Sequence, residues 1–463
     1  MSDLAALCVD ALREAGLAEA EVFARSKERG VARFAGGELG QHMELTEPVA
    51  VVRVANGKRI AEASTSRLDK ASLVAALHAA AGAARFVPET EGFTGFAGAD
   101  EPTGESPARF STRTAHATAE ERVELLAPVL TAIARAGLVS AGALETRRSS
   151  VAVVTTRGLS RAHSSTLATF RVWALETPGA GGAAGFGSHS HRDVGALDLR
   201  GETERAIRIC KMSHEPGALD AGRYDVVMEP AAVAELLEWL TGIAFAAPEV
   251  EQGTSPLADR FGQKITGDGV TIIEDPLDHT DTGFAVPFDR EGVWRKRVPL
   301  IENGVARAAL HDRLSGARAG KSSTGSSLMP DGGSPATIGG SSVGLLGGDA
   351  VSAEELIAGV DRGLYVCRLH YVNGFVEPRR AVMTGLTRDG CFLIEKGKIA
   401  RPVGNMRFTD SFLEGLARAD GMTRARQAIP TWWSDAGASV VPAVRMRSFQ
   451  FNGKSQVTPV RGA

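Results

Sequence analysis

A chain of 463 residues with 43% hydrophobic side chains is long enough for two or three domains and can bury sizeable cores. Its formal net charge of -3, with no long block of lysine or arginine, argues against a general nucleic-acid or membrane-surface binder. Four cysteines, Cys8, Cys210, Cys367 and Cys391, lie far apart without metal-ligand spacing and read as reduced structural thiols, which fits a cytoplasmic protein.

The first residues carry acids where a secretory leader would be basic, and no later run approaches the roughly 20 apolar residues of a membrane span. Residues 3–16 predict an amphipathic helix striped by Leu4, Leu7, Cys8, Ala11 and Leu12 and ended by Gly16. Short strands are expected at 21–26, 31–34 and 42–45, and a hairpin at 49–54 and 59–64 turning on Asn56-Gly57. An alanine-rich helix follows over 66–84. Residues 88–114 are rich in Gly, Pro, Ser and Thr and read as a linker carrying a domain boundary.

Beyond it, Thr118 with Glu121 opens a third helix by a capping box. Long strands at 140–155 and 159–175 turn on Thr156-Arg157-Gly158. A glycine-rich tip at 177–182, a strand at 185–190, a helix at 202–212 and a proline turn at 214–217 complete this segment. The expected division is 1–87, 88–114, 115–220 and 221–463, in an α+β fold.

The last segment starts with a short strand ended by Glu229-Pro230, which sets proline in the first helical turn, where its missing N–H costs nothing. Val233, Leu236, Leu237, Leu240, Ile243, Ala244 and Ala247 then recur at helical spacing and predict one apolar stripe. Downstream lie Phe288-Asp289-Arg290-Glu291-Gly292, an Asn303-Gly304 turn, Ser323-Thr324-Gly325, Gly363-Leu364-Tyr365, and Leu393-Ile394-Glu395-Lys396-Gly397 running on to Pro402-Val403. These motifs read as strand, turn and strand, so they specify a fold more than a chemistry.

Taken together, these motifs resemble the TldD/PmbA (TldD/TldE) metallopeptidase family over nearly the whole chain, most specifically over 223–453. The resemblance implies a C-terminal domain of strongly twisted, mostly antiparallel sheet or distorted barrel with the helix from Pro230 packed beside it. In the family's TldD-type catalytic subunits that helix carries an HExxxH zinc motif, whose positions fall here on Glu238, Trp239 and Ile243. The family's further cysteine ligand has no counterpart in residues 435–442. Zinc in a hydrolase needs nitrogen, sulfur or carboxylate ligands and an open position for water, and isoleucine offers none.

The resemblance therefore implies a TldE/PmbA-type non-catalytic subunit with no cofactor of its own, paired with a zinc-bearing TldD-type subunit or with itself, and binding unfolded peptide. His370, Tyr371 and Asn373 are the candidate peptide or partner contacts. Asp275, Asp278, His279 and Asp281 could ligate a metal or form a polar turn, and His189 with His191 could share a metal across a strand face or serve structure alone. Clustered glycines such as Gly332-Gly333 and Gly339-Gly340 form no P-loop, and Gly320-Lys321-Ser322 has its ending alone. The alternatives are a stand-alone hydrolase using Glu238 or the 275–281 cluster, and a regulatory protein of the DNA-gyrase-modulator kind by which the family has been described.

Overall fold

The computed structural model describes residues 2–104, 106, 109–177, 182–276, 286–328, 337–430 and 437–454. Six strands build the N-terminal sheet: β1 (Ala20–Ala35), β2 (Glu38–Asn56), β3 (Arg59–Thr65), β4 (Val139–Thr155), β5 (Ser160–Leu175) and β6 (Ala184–His191), in the order β3-β2-β1-β4-β5-β6. The short strands expected at 21–26 and 31–34 are one strand, as are those at 42–45 and 49–54. Their middles are charged and partly exposed, so the alternation that marks a half-buried strand is interrupted while the backbone ladder continues.

The boundary expected in 88–114 does not divide this sheet, because β1 pairs with β2 on one side and with β4 on the other. The intervening segment packs onto the sheet. Phe96 and Ala97 are buried, and the Ala97 carbonyl accepts from the Thr155 hydroxyl at 2.7 Å. Helices Ser2–Ala15 and Lys70–Ala83 cover one core, while Ala119–Arg135 and Leu199–Met212 cover another. Thr118 caps its helix as its sequence predicts, accepting from the Glu121 N–H at 3.2 Å.

The C-terminal half holds β7 (Gly222–Met228), β8 (Ile272–Glu274), β9 (Val298–Glu302), β10 (Val305–Ala306), β11 (Val343–Leu345), β12 (Arg362–Glu377), β13 (Val382–Glu395), β14 (Lys398–Pro402), β15 (Met406–Ser411), β16 (Ala419–Met422), β17 (Gln427–Pro430), β18 (Ala438–Val441) and β19 (Val444–Lys454). One sheet runs β12-β7-β19-β15-β13-β14, and a further β12–β13 pairing closes five of its strands into a barrel. A second sheet runs β10-β9-β8-β11-β18-β17. Pairing is mostly antiparallel, with parallel ladders at β7/β12 and β11/β18.

The helix Pro230–Ala244 lies between the two, against β12 on one side and β11, β17 and β18 on the other. That position alters the expected single stripe, since residues 232–237 are buried without a break. A helix flanked on two sides has no polar face to spare. It also ends at Ala244, and a short helix, Ala247–Glu251, follows.

The motif Phe288-Asp289-Arg290-Glu291-Gly292 joins this half to the N-terminal sheet. Asp289 accepts backbone N–H groups from Glu291, Val293 and Ser327 at 2.9–3.0 Å, which fixes the turn. Glu291 then meets Arg53 at 3.1 Å, and Arg290 meets Glu62 at 2.5 Å. Among the described residues no helix is long and apolar enough to cross a membrane.

Candidate functional site

Helix Pro230–Ala244 and the neighbouring strand β12 carry the candidate positions. Glu229 occupies the helix N-cap with Pro230 behind it, yet its carboxylate makes no capping bond. It turns instead to an ion pair with Arg205 and a hydrogen bond from the Tyr365 hydroxyl. Burial pushes the Glu229 carboxyl up to about 8, with Glu202 and Glu354 adding to the shift.

Along the helix, Glu235 is 5% exposed, and burial raises its carboxyl to about 7 against the opposing pull of Arg368 and a Val372 backbone hydrogen bond. Glu238 and Trp239 are half-buried one turn on. The Trp239 indole stands edge-on to Phe375, with ring centroids 5.2 Å apart, and lies against Gly374, where an added Cβ would come within 3.0 Å of Cε3. Ile243 is 3% exposed and part of the core shared by both C-terminal sheets.

The structure thus brings the helix against the tip of β12, where His370, Tyr371 and Asn373 lie. Tyr371 is 69% exposed with a left-handed φ of 51°, and its ring is 4.2 Å from that of His370. Burial, then Arg388 and Arg368, lowers the His370 pKa, which favours the neutral imidazole. The Asn373 side chain accepts from the Phe375 N–H at 2.8 Å, in the irregular end of β12 that presents Phe375 and Val376 to solvent.

The other candidates are not gathered here. His189 Nδ1 accepts from the Asp198 N–H at 3.2 Å and His191 Nδ1 from the Asp193 N–H at 2.9 Å, so each ring ties down the chain that follows β6. Asp275 pairs with Arg297 at 3.2 Å, while Asp278, His279 and Asp281 lie outside the described residues, as do Gly332-Gly333. All four cysteines are buried and unpaired, and burial pushes the Cys8 and Cys391 thiols up to about 12 and Cys210 to about 11. Among the described residues no group of three or more His, Cys, Asp or Glu side chains is placed to hold a metal ion.

The family model for the PmbA/TldA metallopeptidase C-terminal domain matches residues 221–453. The chain belongs to the TldD/PmbA metallopeptidase family. A metalloprotease of Methanothermobacter thermautotrophicus is 30% identical over 285 residues, covering 59% of each chain. The metalloprotease PmbA of Escherichia coli O157:H7 is 28% identical over 194 residues, covering 41% of this chain and 39% of that protein. The chain thus spans three fifths or less of the length of these curated relatives.

Among solved structures, TldE from Thermococcus kodakarensis superposes with a TM-score of 0.88 at 20% identity, over 96% of this chain and 100% of that one. A Thermotoga maritima protein described as a modulator of a DNA gyrase gives 0.84 at 17% identity, over 97% and 99%. Both share the fold.

The donors at the positions where the family resemblance sets its zinc motif do not fit the metal. Of Glu238, Trp239 and Ile243 only the first can ligate, and Ile243 is sealed among hydrocarbon. Strand β18, beside the helix where the family resemblance places a thiolate, offers Ala438, Ser439, Val440 and Val441, all buried. Sequence reasoning took Glu229 only as a helix start and passed over Glu235, Arg205 and Arg368. The signal for Glu235 was an acid inside the apolar pattern; the arginines gave none, since each reads locally as a surface residue.

Proposed function

We propose that this chain is a TldE-like, non-catalytic subunit that binds extended peptide and presents it to a zinc-bearing TldD-type partner. The observation that carries this reading is Ile243, packed in the hydrophobic core of the C-terminal half at the position where the family resemblance sets a histidine. Trp239, packed on Gly374 and Phe375, supports it, because an indole in the place of the catalytic carboxylate cannot take a proton from water.

The exposed Tyr371, Phe375 and Val376 at the tip of β12 give an apolar surface for a partner or a peptide. Buried, reduced thiols suit the cytoplasm. The chain's charge of -3 gives the gyrase-modulator description no electrostatic route to DNA.

Reconstitution is the test. Mixed with a TldD-type relative bearing HExxxH, the chain should form a complex on size-exclusion chromatography and raise hydrolysis of unfolded peptides. A relative equally active without it, with no complex formed, rejects the proposal.

A further inference from the structure

Strand β2 pairs with β1 along its length, but its outer side is covered only in part. Strand β3 pairs with residues 50–56 and goes no further. Among the described residues, 38–48 therefore present an unpaired strand edge, and every residue in the stretch except Met43 and Pro48 is exposed. At about 3.4 Å per residue that edge is roughly 35 Å long. Every second residue aims its N–H and C=O outward along it.

The sequence does little to guard it. Charged side chains keep many such edges from pairing, yet Glu44 and Glu47 are turned back onto their own chain. Glu44 pairs with Arg122 and His42, and Glu47 lies 3.5 Å from Arg29 and 3.8 Å from Lys27. No lysine or arginine stands in 38–48. Leu39 and Leu45 are left 38% and 41% exposed. Pro48, which has no N–H to donate, ends the stretch.

The order of residues along the edge selects a second copy as its occupant. A two-fold axis normal to the sheet keeps each side chain on its own face, so it passes through a residue and sets that residue opposite itself. Met43 is the middle of 38–48, and an axis there uses the whole stretch. It sets Glu44 opposite His42, Glu47 opposite Leu39 and Glu38 opposite Pro48, so each carboxylate meets an imidazole or an apolar side chain and none meets another acid. Alternate residues share a face, so Met43 and Leu45 of both copies gather on one side. Moving the axis to Glu44 shortens the overlap and brings two carboxylates together.

We propose that residues 38–48 of β2 pair antiparallel with the same residues of a second copy about a two-fold axis at Met43, joining the two N-terminal sheets into one. This interface is independent of the proposed function, since it needs no TldD-type partner.

The test is light scattering of the full chain during size-exclusion chromatography over about 1–100 μM, the range in which a dimer of micromolar affinity assembles, with amide hydrogen exchange read at both ends of the range. The chain should become a dimer, and exchange in 38–48 should slow at least about tenfold at the higher concentration. Met43→Glu and Met43→Lys should each weaken the dimer at least about tenfold, since each sets like charges opposite one another on the axis. An equimolar mixture of the two should restore it, which also shows that both variants are folded.

A parent chain that stays monomeric to about 100 μM overturns the proposal. So does a dimer whose 38–48 amides exchange as fast as those of the monomer. Variants that dimerise as tightly as the parent, or folded variants whose mixture stays monomeric, overturn it as well. None of these results bears on the subunit reading, whose test is reconstitution with a TldD-type relative.

Discussion

Replacing Ile243 with histidine would install the donor that the family resemblance sets at this position, and its surroundings predict a loss of stability in place of a metal site. Ile243 is 3% exposed and sits in the core that both C-terminal sheets share. Removing a buried isoleucine forfeits about 2–3 kcal/mol of transfer free energy. An imidazole without a partner in the same place adds about 1–3 kcal/mol. The sum is about 3–6 kcal/mol. For a cooperative unit of about 150–250 residues each kcal/mol lowers the melting temperature by about 2–4 °C, so scanning calorimetry should show a drop of roughly 10–20 °C. The control Ile243→Val should cost only about 1 kcal/mol. A histidine variant that melts within about 2 °C of the parent and takes up zinc would refute the reasoning.

Three further outcomes follow from the same structure. Arg53 is the cation between Glu21 and Glu291, whose side chains are 0% and 5% exposed, so Arg53→Met strands two buried carboxylates and should cost about 3–5 kcal/mol in a melting experiment; adding Glu291→Gln should restore part of that loss. The Glu235 carboxyl is raised from 4.5 to about 7, so the folded state holds its proton more tightly than the unfolded chain does. Its stabilisation is therefore complete below pH 4.5 and is lost as pH rises through about 7; between pH 5 and 7.5 the parent should lose melting temperature relative to Glu235→Gln, and parallel curves would contradict the assignment. In Gly437→Ala the new Cβ would clash with the Ser341 carbonyl oxygen, the acceptor of the Ala438 N–H, which must push the start of β18 away from the segment leading into β11 and cost about 1–3 kcal/mol, read as faster amide exchange in 438–441.

Much of the fold was legible because local chemistry and tertiary structure agree. The Asn56-Gly57 and Asn303-Gly304 turns, the Thr118 cap and the Glu229-Pro230 helix start all stand where their residues predict. The family resemblance rested on such turns, and a family model matches over the same half of the chain. The domain boundary in 88–114 was misread because composition reports a loop without reporting what lies on either side. The ladder between β1 and β4 joins residues such as Glu21 and Thr155, and nothing local encodes that partnership.

The candidate site was legible in part for a similar reason. The helix and the β12 tip each announced themselves, and the structure sets Trp239 against Phe375. The cluster around Glu229 did not, since its members come from separate strands and helices of both halves of the chain. Glu229 is instructive: its place before Pro230 suggested only a helix start, while its carboxylate turns away from the cap toward Arg205 and Tyr365.

The most direct measurement is the zinc content and peptidase rate of the purified lone chain after incubation with zinc and removal of loosely held metal. The account predicts less than about 0.1 zinc per chain, the level expected without a four-ligand site, and no hydrolysis until a TldD-type partner is added. One tightly held zinc per chain, with peptide cleavage that Glu238→Gln abolishes, would contradict it.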